Sequence, residues 1–182
     1  VADKPISYYA FEMLYWTGIR EGELLALTPA DFNFEKKTLR INKSYQRLEG
    51  EDVITDPKTP KSNRTIVMPD FLAIEMEDFI KSIYGIKMND RIFTISKSYL
   101  HHEMDRGAKL AMVKRIRIHG LRHSHISLLI NLGFSALAIG ERVGHEAVDI
   151  TYHYAHLFPT VQTDMAAQLE TEREALVNVR KE

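Results

Sequence analysis

The sequence predicts a mainly α-helical domain with one small antiparallel three-stranded β-sheet inserted near its N-terminal third. Three observations carry that expectation. Apolar residues recur at helical spacing through most of the chain, and glycine or proline ends most of these runs. Only the stretch from Thr38 to Met68 changes texture, with short alternating segments joined by turn residues. At 182 residues and 45% hydrophobic content the chain can bury one sizeable core, so a single domain over 1–182 is expected.

Taken in order, Tyr9, Phe11, Met13, Leu14 and Trp16 mark a helix from Ile6 to Thr17, stopped by Gly18. Gly22 to Leu27 resumes helix, and Thr28-Pro29 stops it, because proline disfavours helix at the residue before it. Three strands are then read at Thr38–Lys43, Val53–Thr55 and Arg64–Met68, with turns at Glu49–Asp52 and Asp56–Asn63. Beyond Pro69, Asp70 is placed to cap a helix from Phe71 to Ile83. A short extended piece, Arg91 to Thr94, leads to a helix from about Ser98 to Met112. Four more helices follow: His119–Leu132 ended by Gly133, Ser135–Val143 ended by Gly144, Ala147–His156, and a tail from Thr160 to Val179.

Composition narrows the chemistry. With no cysteine, this chain has no disulfide, thiolate metal site or cysteine nucleophile, so covalent chemistry must use Ser, Thr, Lys, Tyr or a carboxylate. The sequence has no apolar run of membrane-spanning length and no signal-peptide pattern, so a cytoplasmic protein with no membrane partner is expected. The formal charge of −1 argues mildly against a nucleic-acid partner, yet basic residues concentrate at Lys58–Arg64 and Lys109–Arg122 while acidic ones crowd elsewhere. A near-neutral chain can still present one basic face. The start at Val1, with an apolar stretch following almost at once, reads like a fragment from which upstream domains have been cut.

The string Ile118-His119-Gly120-Leu121-Arg122-His123-Ser124 sets His119 and Arg122 three apart at a helix start, on one face. Helix starts favour anions, and the planar guanidinium fork matches two phosphate oxygens. Taken alone, the string is equally compatible with a capping histidine and a surface arginine. His119 and His123 are also four apart, as a zinc pair would be, but they lack an intervening general-base Glu and an obvious third ligand.

Further motifs decide between these readings. Upstream stands Thr17-Gly18-Ile19-Arg20-Glu21-Gly22-Glu23-Leu24; Pro57-Lys58-Thr59 lies between the second and third strands; downstream come Gly144-His145 and Tyr154-Ala155-His156-Leu157. In order and spacing, from about Tyr9 to Pro159, these resemble the tyrosine recombinases, the phage-type integrases, and specifically their catalytic domain. Pro-Lys-Thr or Gly-His alone would mean nothing, whereas five strings in the correct order are specific.

The resemblance implies the fold of that catalytic domain and six site residues. Tyr154 would be the nucleophile, attacking the scissile phosphate to leave a 3′-phosphotyrosyl link and a free 5′-hydroxyl. A phenol of pKa about 10 attacks poorly at neutral pH unless cations hold its developing charge. Arg20 and Arg122 would clamp the non-bridging oxygens. Lys58 would protonate the departing 5′-oxygen, with Lys61 as the competing candidate. His119 would shuttle the tyrosine's proton, and His145 would hydrogen-bond a phosphate oxygen. Glu23 would orient these groups. Tyr152 is the rival phenol, but two helical positions rotate a side chain by roughly 200°, and the family's Tyr-x-His-Leu pattern selects Tyr154.

The implied partner is double-stranded DNA. The full-length protein would act as a homotetramer on paired sites, and the isolated domain as a monomer or dimer. No cofactor and no metal are implied, since the phosphotyrosine conserves the phosphodiester's energy. Integration or excision of a phage or mobile element is the leading reading; resolution or relaxation of DNA by a relative, and a binding module without catalysis, are the rivals. The tail from about 160 to 182 either folds back on its own domain or docks on a neighbouring subunit, because its apolar stripe needs cover.

Overall fold

The computed structural model describes residues 5–56, 62–145, 147–154 and 169–171, with backbone only at 147, 148, 151 and 152. Helix α1 (Ile6–Thr17) ends at Gly18, whose φ of 67° is left-handed and whose N–H closes on the Leu14 carbonyl. Glycine is required there twice over, because a Cβ would also lie 2.5 Å from the His125 ring. Helix α2 (Glu21–Ala26) starts directly after, with the Arg20 N–H donating to Glu23 Oε2 at 2.8 Å. A 3-10 turn at Pro29–Asp31 leads into the strands.

Among the described residues, five strands form two sheets. Strands β1 (Phe32–Asn33), β2 (Thr38–Ile41) and β5 (Arg64–Val67) make an antiparallel sheet in the order β1-β2-β5, with Ile41 opposite Arg64. Strands β3 (Ser44–Leu48) and β4 (Glu51–Thr55) form a separate hairpin. The three-stranded sheet therefore exists, but Val53–Thr55 belongs to the hairpin and Phe32–Asn33 takes its place. The expected first strand breaks after Ile41, and Lys43 turns back to bond Asp31 at 2.5 Å and Thr28 at 3.2 Å. The hairpin turns through Glu49 and Gly50, both at positive φ, a geometry whose twist suits paired strands.

Helix α3 (Asp70–Ser82) follows Pro69; Asp70 lies inside the first turn, not before it, and pairs with Lys37 at 2.8 Å. The Arg91–Thr94 segment joins no sheet: Ile92 donates to the Leu27 carbonyl at 2.9 Å, and Ile92 and Phe93 are buried. Helix α4 (Lys97–Leu110) is capped by Ser96, which accepts from the Tyr99 N–H. Helices α5 (Ile118–Asn131), α6 (Ala136–Val143) and α7 (Ala147–Tyr154) complete the described chain, with Ser135 capping α6 and Gly144 ending it at a φ of 71°. The tail expected from Thr160 to Val179 lies outside the described residues except for a helical stretch at 169–171.

Among the described residues, apolar side chains collect in two clusters. The larger joins α1, α2, β2, α3 and the start of α5 through residues such as Met13, Leu24, Leu25, Leu39, Ile66, Met76 and Ile118. The smaller joins α5, α6 and α7 through Ile126, Ile130, Ile139, Val143, Ile150 and Tyr154. The candidate site lies on the seam between them. Among the described residues no helix is long and apolar enough to cross a membrane.

Candidate active site

The first turn of α5 presents His119, Arg122 and His123 on one face, the consequence of i, i+3, i+4 spacing. Arg122 is only 2% exposed. Its Nη1 donates to the Gly18 carbonyl at 2.6 Å and its Nη2 to the Val143 carbonyl at 2.5 Å. Both acceptors stand at helix C-termini, where carbonyls lack intrahelical donors and carry partial negative charge. One guanidinium thus ties α1 to α6 while sitting in α5. Burial, then the Arg20 charge, lowers its pKa to about 9, which leaves it cationic at neutral pH. Among the described residues, its buried Nε has no hydrogen-bond partner.

Arg20 precedes α2, and its Nη1 donates to Glu23 Oε1 at 2.9 Å. Glu23 is buried and serves a second arginine. Arg64, at the start of β5, donates to it through Nη1 at 3.1 Å and Nη2 at 2.9 Å, and its Nε reaches the Arg142 carbonyl at 2.9 Å. Burial alone would raise the Glu23 carboxyl's pKa; the hydrogen bond and charge of Arg64 and the bond from Arg20 outweigh it and leave it lowered. A bidentate buried pair of this kind fixes geometry more than it adds stability. Its effect here is to hold Arg20 beside α5.

His145 follows the left-handed turn at Gly144 and is half-buried, with its N–H on the Gly140 carbonyl at 2.9 Å. Its imidazole is lowered to about 4, first by burial and then by the charges of Arg122 and Arg20. His119 is lowered by burial and then by His123, Arg122 and Arg20. Both rings are neutral at pH 7, chiefly because burial disfavours the charged imidazolium and secondarily because the two arginines already bring positive charge to the site.

Tyr154, at the end of described α7, is 8% exposed and packs in the smaller apolar cluster. Burial raises its phenol, while the Arg122 charge pulls it down. Its hydroxyl meets Nδ1 of His123. Among the described residues, the ring of His119 makes no hydrogen bond to the phenol and stands edge-on to His123, with centroids 4.8 Å apart. The neighbour of the phenol is therefore not the histidine to which the resemblance gave its proton.

The structure thus brings together Arg20, His119, Arg122, His145 and Tyr154, with Glu23 behind them. Lys58 and its rival Lys61 lie outside the described residues, and so does the side chain of Tyr152. His119 and His123 are together, yet among the described residues no group of three His, Cys, Asp or Glu could hold a metal ion. Three contributors escaped the sequence reading. Arg64 had a signal, since it is in phase with Ile66 and Met68, which face inward, and a buried arginine demands a carboxylate. His123 shares a face with His119 and Arg122, which spacing alone shows. Arg142, which bonds His125 Nε2 and the Val67 and Trp16 carbonyls, each at 3.1 Å, had none, because those partners are remote in sequence.

Known proteins resemble this chain in sequence and in fold. The ICEBs1 integrase of Bacillus subtilis is 30% identical over 174 residues, covering 88% of this chain and 47% of its own length. The integrase of Staphylococcus phage L54a is 31% identical over 179 residues, covering 88% and 51%. The chain spans about half the length of these relatives. Among solved structures, the Tn1549 transposon integrase in complex with a circular intermediate DNA superposes with a TM-score of 0.75 at 22% identity, covering 95% of this chain and 61% of that one. The XerA recombinase gives 0.64 at 21% identity, covering 89% and 56%. These two share the fold. The phage integrase family matches residues 2–160, the greater part of the sequence, and with that match this chain belongs to the phage integrase family.

Proposed function

We propose that this chain is the catalytic domain of a site-specific tyrosine recombinase that cuts and rejoins double-stranded DNA through a 3′-phosphotyrosyl intermediate, for integration or excision of a phage or mobile element. The observation that carries the reading is a tyrosine hydroxyl held beside a buried arginine, with a second arginine and two neutral imidazoles in the same electrostatic neighbourhood. Tyr154 attacks the phosphorus. Arg122 and Arg20 neutralise the non-bridging oxygens, where loss of one aimed donor typically lowers rate by about 10² to 10³. An incoming phosphate oxygen would satisfy the Arg122 Nε, whose unmet bond is otherwise costly. His145 and His119 donate to phosphate oxygens or relay protons, and Lys58 protonates the departing 5′-oxygen. The full-length protein assembles as a homotetramer on paired sites.

The test uses nicked suicide duplexes randomised on both sides of the nick, scored for a denaturation-resistant protein–DNA adduct. Wild type and Tyr152→Phe should form it, and Tyr154→Phe should not. Adduct formation by Tyr154→Phe would overturn the assignment of the nucleophile.

A further inference from the structure

We infer that His123, rather than His119, is the group that takes the proton of Tyr154 during strand cleavage and returns it during rejoining; the inference rests on the recombinase reading above. Contact is the first ground. The Tyr154 hydroxyl, the atom that must lose a proton to attack, meets Nδ1 of His123. A general base has to lie within hydrogen-bond reach of the proton it removes; His123 does, whereas His119 makes no hydrogen bond to the phenol and instead stands edge-on to the His123 ring, with those two ring centroids 4.8 Å apart.

The surroundings supply the second ground. His123 lies one helical step beyond Arg122, and the charged or titratable groups around it are His119 and Arg122 on α5 and His153 and Tyr154 on α7. Burial, then Arg122 and His153, hold its ring below the usual imidazole range, so it is neutral at pH 7 and its Nδ1 can accept. With the ring proton on Nε2, Nδ1 receives the phenol O–H. His153 donates from its own Nδ1 to the Asp149 carbonyl at 2.9 Å, which engages that nitrogen away from the phenol.

The step balances without a co-reactant. As the Tyr154 oxygen bonds to phosphorus, its proton passes to His123 Nδ1; the bond from phosphorus to the 5′-oxygen breaks, and that oxygen takes a proton from the general acid. Rejoining runs the same transfers backwards, with His123 as the acid that releases the phenol. His119 is then left to the phosphate, where the Arg20 and Arg122 charges already reach it.

The discriminating variant is His123→Asn, whose amide oxygen can keep a hydrogen bond from the phenol but cannot accept its proton. On the nicked, randomised duplexes, single-turnover adduct formation by His123→Asn should fall by about 10² to 10⁴, with DNA retention and melting temperature unchanged. The wild-type rate should fall as pH drops through the His123 titration, and the variant should lose that limb. Adduct formation by His123→Asn at the wild-type rate, alongside a collapse in His119→Asn, would overturn the inference and leave the recombinase reading standing. No adduct from wild type would overturn that reading, and the proton step with it. A second readout needs no DNA: in Tyr154→Phe, the His123 ring followed by NMR should titrate at higher pH, because its neutral form has lost a donated hydrogen bond. An unchanged titration would overturn the contact on which the inference stands.

Discussion

Arg20 caps and Glu23 lies on α2, whose Leu24, Leu25 and Ala26 are fully buried in the larger cluster, whereas Tyr154 sits on α7, anchored through Ile150 in the smaller one. The anion-holding half of the site therefore rests on much more packed hydrocarbon than the half carrying the nucleophile. Elements with fewer buried apolar contacts open at lower free energy, so α6 and α7 should move relative to a fixed pair of arginines, not the reverse. What joins the halves is polar. Arg122, Arg142 and Arg64 each donate across the seam to backbone carbonyls.

Breaking the seam should give the largest effect. Arg122→Ala leaves the Gly18 and Val143 carbonyls without this donor, each costing about 1–3 kcal/mol if buried and unmet, and removes a phosphate ligand. Urea unfolding should show the destabilisation, and adduct formation should fall by at least about 10². Unchanged stability would mean that the two halves are held by something else.

Glu23→Gln attacks the firm half from within. It leaves Arg64 buried without its counter-charge, and breaking a buried pair typically costs about 3–5 kcal/mol. Arg20 loses its anchor in the same step, so the apparent affinity for nicked DNA should weaken together with the melting temperature. A change in stability alone would confine Glu23 to the core.

Matched truncations sharpen the comparison. Leu24→Ala and Ile150→Ala each remove a fully buried aliphatic chain, with typical costs of about 2–5 kcal/mol. Leu24→Ala should fall at the high end. Ile150→Ala should fall lower and raise amide exchange in α7 ahead of α2, since the smaller cluster can relax around the cavity; exchange rising equally in both would erase the distinction.

The gentlest probe is pH. His125 is buried at the seam, where its Nε2 accepts from Arg142 Nε, and burial followed by the Arg142 charge lowers its pKa to about 4. The folded pKa lies below the unfolded value of 6.5, so this contribution is complete above pH 6.5 and is lost as pH falls towards 4. Each pH unit in that window should remove on the order of 1.4 kcal/mol. Glu23, also lowered, adds loss only below its ordinary value of 4.5. His125→Gln should flatten the upper part of the acid limb, and an unaltered limb would place the acid sensitivity elsewhere.

Much of this was legible from residues alone. Gly18 and Gly144 mark helix ends because left-handed backbone favours glycine, and both stand where the helices stop. The His119 and Arg122 spacing placed both on α5 at its N-terminus. The strand region was read less well. Period-two patterning located Thr38–Ile41 and Arg64–Val67, but the break after Ile41 depends on Lys43 reaching back to Asp31, a contact across the fold.

By itself the sequence determined the described helices to within a residue or two at their ends, the set of candidate chemical groups and the family, because caps, periodicity and motif order are local or ordinal properties of the chain. Tertiary structure decided which groups touch. His119 and His123 share one helix face by spacing, and only the tertiary placement of α7 brings the Tyr154 hydroxyl to one of them. Arg64 on β5 and Arg20 before α2 share Glu23 because the fold brings both guanidinium groups to one carboxylate, although 41 residues separate the buried pair. Long-range contacts of this kind depend on where packed elements cross, and that crossing is set by burial of two apolar clusters at once, which no window of the sequence contains.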